Sequence, residues 1–134
     1  PTNALIDIGM CVKASGVLLK KDKPLIVVDN TYVGPLWQHP LKLGADIVVY
    51  SATKYIGGHS DLVAGAASGS LEIINRLKGM RVFMGNMASP FTCWLITRSL
   101  ETLKIRMEKS AENAKKMLVL QHKLNIDDKK IQNI

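Results

Sequence analysis

Asp29, Ser51, Thr53 and Lys54 are the side chains of this sequence best placed to act together. Asp29 ends the run Leu25-Ile26-Val27-Val28-Asp29. The run Asp46-Ile47-Val48-Val49-Tyr50 is followed at once by Ser51-Ala52-Thr53-Lys54. Both runs are short, continuous and rich in β-branched residues, the pattern of strands buried on both faces of a parallel sheet. Ligands of open α/β sheets bind beyond the carboxyl ends of the strands. A ligand there meets one carboxylate, two hydroxyls and one amine. The amine can form a Schiff base with an aldehyde, and the carboxylate can keep a pyridine-type nitrogen protonated. The hydroxyls, with backbone N–H groups, can hold a phosphate. An Asp after one strand and a Lys after another also arise by chance. On residue type alone, a surface Lys54 and a loop-capping Asp29 therefore stay open.

The elements that must position these groups alternate along the chain. Residues 4–19 carry apolar positions interrupted by Gly9 and Gly16, and the middle of the stretch reads as a helix. Residues 31–40, with Gly34-Pro35 and Pro40, read as loop, and Gly44 closes a short helical turn over 41–44. Residues 51–60 are polar and glycine-bearing, hence loop. A third strand of small residues is predicted over 62–67, a helix over 71–77 extending towards Phe83, and a loop over 85–89. Ser89-Pro90 then opens one long helix, with Ser as N-cap and Pro at the first helical position. Its apolar stripe runs through Ile96, Leu100, Leu103, Met107, Ala111, Ala114 and Leu118, and Glu112 pairs with Lys116. Strands alternating with helices predict an α/β fold with a mostly parallel sheet.

Composition narrows the function. The 134 residues are 47% hydrophobic and 22% charged, as in a globular piece with its own core. No apolar run approaches the ~20 residues that cross a bilayer. The opening Pro1-Thr2-Asn3 lacks an initiator Met and a secretory pattern, and reads as the middle of a longer protein. The net charge of +7 raises nucleic-acid binding, but the basic residues are dispersed, without interleaved aromatics, and a solvated surface explains them. Cys11 and Cys93 have no metal-ligand spacing and read as two reduced, partly buried thiols, which fits a cytoplasmic location. No metal site is expected. His39 and His122 read as surface or loop residues, and His59 as a turn residue or a ligand contact. Tyr50, Tyr55, Phe91, Trp94, Met80, Met84 and Met87 read as packing.

Pyridoxal phosphate (PLP) combines the aldehyde, the ring nitrogen and the phosphate that these groups suit, and a resemblance selects it. Val28-Asp29-Asn30-Thr31, Pro40-Leu41, Leu43-Gly44-Ala45-Asp46-Ile47-Val48-Val49, Ser51-Ala52-Thr53-Lys54-Tyr55 and Gly58-His59-Ser60-Asp61 resemble the core of the Cys/Met-metabolism PLP enzymes. So do Arg98-Ser99-Leu100-Glu101-Thr102-Leu103 and Arg106-Met107-Glu108-Lys109. The family includes cystathionine γ-lyase, methionine γ-lyase, cystathionine β-lyase, cystathionine γ-synthase and O-acetylhomoserine sulfhydrylase.

The resemblance implies part of a fold-type-I, aspartate-aminotransferase-like large domain. Lys54 matches the Schiff-base lysine, Asp29 the partner of the pyridine nitrogen, and Ser51 and Thr53 the phosphate ligands. Asn3 matches an asparagine near the ring oxygen, although Ala4 stands where the family has a second proline. It further implies γ-elimination on cystathionine or methionine through a Lys54 aldimine, in a homotetramer built from dimers. The other family reactions and an inactive truncated remnant are the alternatives. Residues 1–89 fall in the PLP-binding large domain, 90–124 form the helix leading towards a C-terminal domain, and 125–134 are a divergent tail. The aromatic that stacks on the ring, the glycine-rich phosphate turn and the arginine for the substrate carboxylate have no counterpart in these residues. The chain alone is thus expected to have little or no lyase activity, and its sheet to keep unpaired edges.

Overall fold

A computed structural model describes residues 5–17 and 23–123. The elements in order are α1 (Ile8–Gly16), β1 (Val27–Asp29), a 3-10 turn (Pro40–Leu43), β2 (Ile47–Ser51), β3 (Gly65–Gly69), α2 (Leu71–Met84), α3 (Pro90–Leu100) and α4 (Leu103–Lys123). Asn3 lies outside the described residues, as does the tail from residue 124 onward.

The helix starts are built as their sequences dictate. Asp7, Ser70 and Ser89 cap α1, α2 and α3 by accepting the backbone N–H of Met10, Ile73 and Thr92. Pro90 occupies the first turn of α3, where its missing N–H costs nothing. Gly44, at φ 98°, ends the 3-10 turn in the left-handed region. A Cβ there would also meet Val12 Cγ1 at 3.0 Å, so the same glycine lets α1 approach the turn closely.

The sheet has the order β1-β2-β3. β1 runs parallel to β2, with Val27 opposite Ile47 and Asp29 opposite Val49. β3 runs antiparallel to β2, with Ile47 opposite Gly69 and Ser51 opposite Gly65. These three strands are therefore mixed, with one parallel and one antiparallel pair. The physical reason is the connection. A parallel pair needs a crossover, whereas residues 52–64 turn back as loop and can only return β3 in the opposite direction. The third strand also starts three residues later than its pattern predicts.

Burial differs strand by strand. Ile47 and Val48 of β2 are buried, as a central strand requires. Leu25 and Val27 are more than half exposed, against the expectation of a strand covered on both faces, because β1 is an edge strand of this sheet. β3 is built of Gly, Ala and Ser and is largely exposed. α2 buries no residue. The described core gathers Ile8, Ala45, Ile47, Val48, Ala52, Leu62, Leu95, Leu103 and Met107.

The single long helix expected after Ser89 is two. Glu101 N–H donates to Arg98 O and Thr102 N–H to Ser99 O, both at 3.3 Å. These i to i−3 bonds tighten the chain between α3 and α4 and shift the phase of the buried face. Leu95 and Ser99 face inward before the break, in place of Ile96 and Leu100, and Leu103 and Met107 after it. Leu118, predicted on the stripe, is exposed. The Glu112–Lys116 pair forms as predicted.

Candidate active site at the carboxyl edge of the sheet

β1 and β2, side by side and parallel, deliver Asp29 and Ser51 to the same edge of the sheet. Asp29 Oδ1 accepts the Thr31 backbone N–H at 3.0 Å and the Thr31 hydroxyl at 2.5 Å, closing a local turn. Thr31 Oγ1 in turn accepts the Ser51 backbone N–H at 2.8 Å. One hydroxyl thus ties the two strand tips together. Beneath it, the buried Asn30 donates to Gln38 O and to the Tyr50 hydroxyl, and its own oxygen accepts from Gln38 Nε2. The Asn30 backbone N–H continues the ladder to Val49 O at 2.9 Å.

Lys54 projects from the turns that follow β2 and is exposed. Its backbone is held on both sides. Lys54 N–H donates to Ser51 O at 3.1 Å, and Gly58 N–H donates to Lys54 O at 2.7 Å. Gly57 N–H closes the loop onto Ala52 O at 2.7 Å. Thr53 faces another way. Its hydroxyl donates to Ala64 O at 3.3 Å and accepts Ala64 N–H at 3.0 Å, docking the loop on the approach to β3.

The structure therefore brings Asp29 and Ser51 to one edge, with Lys54 in the turn just past it and Thr53 committed to the backbone. Asp29 and Lys54 form no ion pair with each other, and Asp29 Oδ2 and the Ser51 hydroxyl make no hydrogen bond among the described residues. A carboxylate oxygen, a hydroxyl and an amine left open along one edge are the donor set that a PLP ring, phosphate and aldehyde require. Expected packing or turn residues also resolve. Tyr50 lends its hydroxyl to Asn30, and His59 Nδ1 lies 2.7 Å from Gly57 O as a turn residue does. Cys11 and Cys93 are free thiols, as expected, but exposed rather than partly buried.

Two residues essential to this geometry were not singled out from sequence. Thr31 carries no signal of its own, since its role exists only once β1 pairs with β2. Arg106 stands far along the chain, yet its guanidinium reaches the Lys54 loop, donating to Tyr55 O at 2.6 Å and Ile56 O at 3.3 Å. An open cavity of about 830 Å³ lies elsewhere, between β3 and α2, lined by Val49, Tyr50, Ala66, Ile74 and Met84 among others. It does not include Asp29, Ser51 or Lys54. No helix among the described residues is long and apolar enough to cross a membrane.

A family model described as Cys/Met metabolism PLP-dependent enzyme matches residues 1–126. The chain belongs to that family. PLP is the cofactor of these enzymes, and carbon–sulfur lyases are among them. Cystathionine gamma-lyase of Homo sapiens is 46% identical over 114 residues, which is 84% of this chain and 27% of that protein. L-methionine gamma-lyase of Treponema denticola is 47% identical over 94 residues, 69% of this chain and 23% of that protein. Among solved structures, cystathionine gamma-lyase from Lactobacillus plantarum complexed with L-serine superposes with a TM-score of 0.82 at 31% identity, covering 91% of this chain and 31% of that one. The fold is that of the fold-type-I PLP enzymes, whose sheet is mixed and largely parallel. The chain spans only about a quarter to a third of the length of the relatives and structures it matches.

Proposed function

We propose that this chain carries the cofactor lysine of a PLP-dependent γ-lyase acting on cystathionine or methionine, with Lys54 as the catalytic residue. The observation that supports this reading is the edge on which β1 and β2 present Asp29, Ser51 and Lys54, in a chain similar to γ-lyases over most of its length. Bound PLP supplies an electron-withdrawing ring that takes up charge from the substrate α-carbon. Asp29, through its open Oδ2, holds the ring nitrogen protonated. Ser51 gives its hydroxyl to the phosphate. Thr53 joins it by redirecting its hydroxyl hydrogen from Ala64 O, a long bond that is easily exchanged. Asn3 completes the set at the ring oxygen.

Lys54 would hold the cofactor through its amine, the group that an aldehyde takes up, and would be freed when a substrate amine replaces it. The free Lys54 amine would be the base for the substrate α-proton and, after passing that proton on, for a β-proton, and as an ammonium it would be an acid for the departing γ-sulfur group. An amine acting near neutrality needs a dry pocket. Lys54 is exposed here, so the walls of that pocket come from polypeptide beyond this chain, in a cytoplasmic homotetramer built from dimers. Residues 90–124 form the helical passage from the large domain towards a C-terminal one.

The reading is tested by 2-ketobutyrate release from cystathionine and from methionine, by the chain alone and by a form extended to the family's full length. The extended form is expected to be active with PLP and to lose at least about a thousandfold on Lys54→Ala, the scale of a lost covalent and acid–base group. The chain alone is expected to be inactive. Activity that survives Lys54→Ala contradicts the assignment.

A further inference from the structure

Beyond the groups that meet the cofactor, one side chain fixes where Lys54 can be. Arg106, in the first turn of α4, is half-buried and spends four of its five N–H donors on one junction. Nη1 donates to Tyr55 O at 2.6 Å, and Nη2 to Ile56 O at 3.3 Å and to Ser99 O at 2.8 Å. Nε donates to the Thr102 hydroxyl at 3.0 Å, and that hydroxyl donates to Ser99 O at 3.4 Å. Tyr55 and Ile56 follow Lys54 directly, and the Lys54 carbonyl is held by Gly58 N–H at 2.7 Å. Three successive carbonyls after the lysine Cα are therefore fixed. The planar fork suits this work, because it bridges carbonyls on two elements at set angles, which a single ammonium cannot do.

Gly58 is the counterpart on the loop. It sits at φ 73°, and a Cβ there would fall 2.0 Å from Arg106 Nη1. The absent side chain is what lets the guanidinium pass to Tyr55 O. The break between α3 and α4 also belongs to the device, since the tightened turn carries Ser99 O and Thr102 Oγ1 to the guanidinium.

We infer that Arg106 is a positioning residue that, through the gap left by Gly58, locks the Lys54 loop onto the α3–α4 junction and so sets the direction of the Lys54 amine. Its bearing on the cofactor rests on the proposed function above. The lock itself does not. Hydrogen exchange in the full chain tests it directly, at the Gly57 and Gly58 amides, which bond to Ala52 O and Lys54 O. Arg106→Ala is expected to speed exchange at both amides about tenfold or more, while Asn30 N–H, bonded to Val49 O between β1 and β2, keeps its rate within about twofold. Arg106→Lys is expected to restore only part of the protection. Gly58→Ala is expected to mimic Arg106→Ala, with the double variant no faster than either single one. Unchanged exchange at Gly57 and Gly58 overturns the inference, and so does an equal rise at Asn30 in both Arg106→Ala and Gly58→Ala. With PLP and borohydride, Arg106→Ala is expected to need about tenfold more PLP for half-maximal labelling of Lys54. Absence of labelling in the unaltered chain overturns the cofactor reading instead, and the exchange result decides the lock by itself.

Discussion

Thr31 Oγ1 donates to Asp29 Oδ1 and accepts from the Ser51 amide, so one hydroxyl spaces the two strand tips proposed to hold the cofactor. Thr31→Val takes the hydroxyl acceptor from the Ser51 N–H and one of two bonds from Asp29 Oδ1, which keeps the backbone N–H of residue 31, and stability should fall by about 1–2 kcal/mol. Urea unfolding checks this, with a lower midpoint and an unchanged slope. Ser51 and Thr53 separate by the same logic. The Ser51 hydroxyl is open and the Thr53 hydroxyl is engaged at both ends by Ala64. Ser51→Ala should weaken PLP binding without moving the thermal midpoint. Thr53→Val should lower that midpoint as well, by the equivalent of about 1 kcal/mol for the lost bonds. Equal midpoints for the two variants contradict the distinction. The placement of Asp29 and Ser51 at strand ends, and of Lys54 in the turn after β2, was legible because continuous β-branched runs mark the strands. Thr31 and Arg106 were not, because a hydroxyl two residues past a strand and an arginine on a distant helix acquire meaning only from the pairing that brings them in.

Sequence pattern placed helix in each described helical stretch but merged α3 and α4 into one and misjudged its buried face. The stripe drawn through Ile96, Leu100 and Leu118 assumes a continuous helical phase, and the tightened turn at Glu101 and Thr102 breaks it. Leu95, Ser99, Leu103 and Met107 form the buried face instead. Met107, 1% exposed, should cost about 2–5 kcal/mol when cut to alanine, whereas Leu118→Ala should stay within about 0.5 kcal/mol. Comparable losses at the two positions would show that the phase does not shift. Further along α4, the Lys116 ammonium, and after it Lys109, holds the Glu112 carboxyl below its ordinary range. A carboxyl lowered in the folded state stabilises fully above the unfolded carboxylate range, and that contribution disappears as pH falls through the lowered value. Glu112→Gln should therefore lower the thermal midpoint slightly at neutral pH and leave it unchanged in strong acid. A difference that persists in acid contradicts the pairing.

Pattern alone identified β2 as a covered strand, and Ile47 and Val48 are buried. The same pattern in β1 gave no hint of an edge, because exposure depends on what lies beside a strand and not on its own residues. The antiparallel β3 was likewise hidden, since direction is set by the connection and its small residues carry no signature of it. Across the molecule α2 buries nothing and Phe83 and Val63 stand almost fully exposed, as suits a chain spanning about a quarter to a third of its relatives' length. The isolated chain should bind a hydrophobic dye at neutral pH while its helix signal is intact, and an undetectable dye signal would contradict so open a surface. The deciding measurement is PLP addition, borohydride reduction and peptide mapping of every lysine in the chain. Pyridoxyl label concentrated on Lys54, and suppressed by Asp29→Ala, is the result predicted. Label spread evenly over the exposed lysines, indifferent to Asp29, would contradict it.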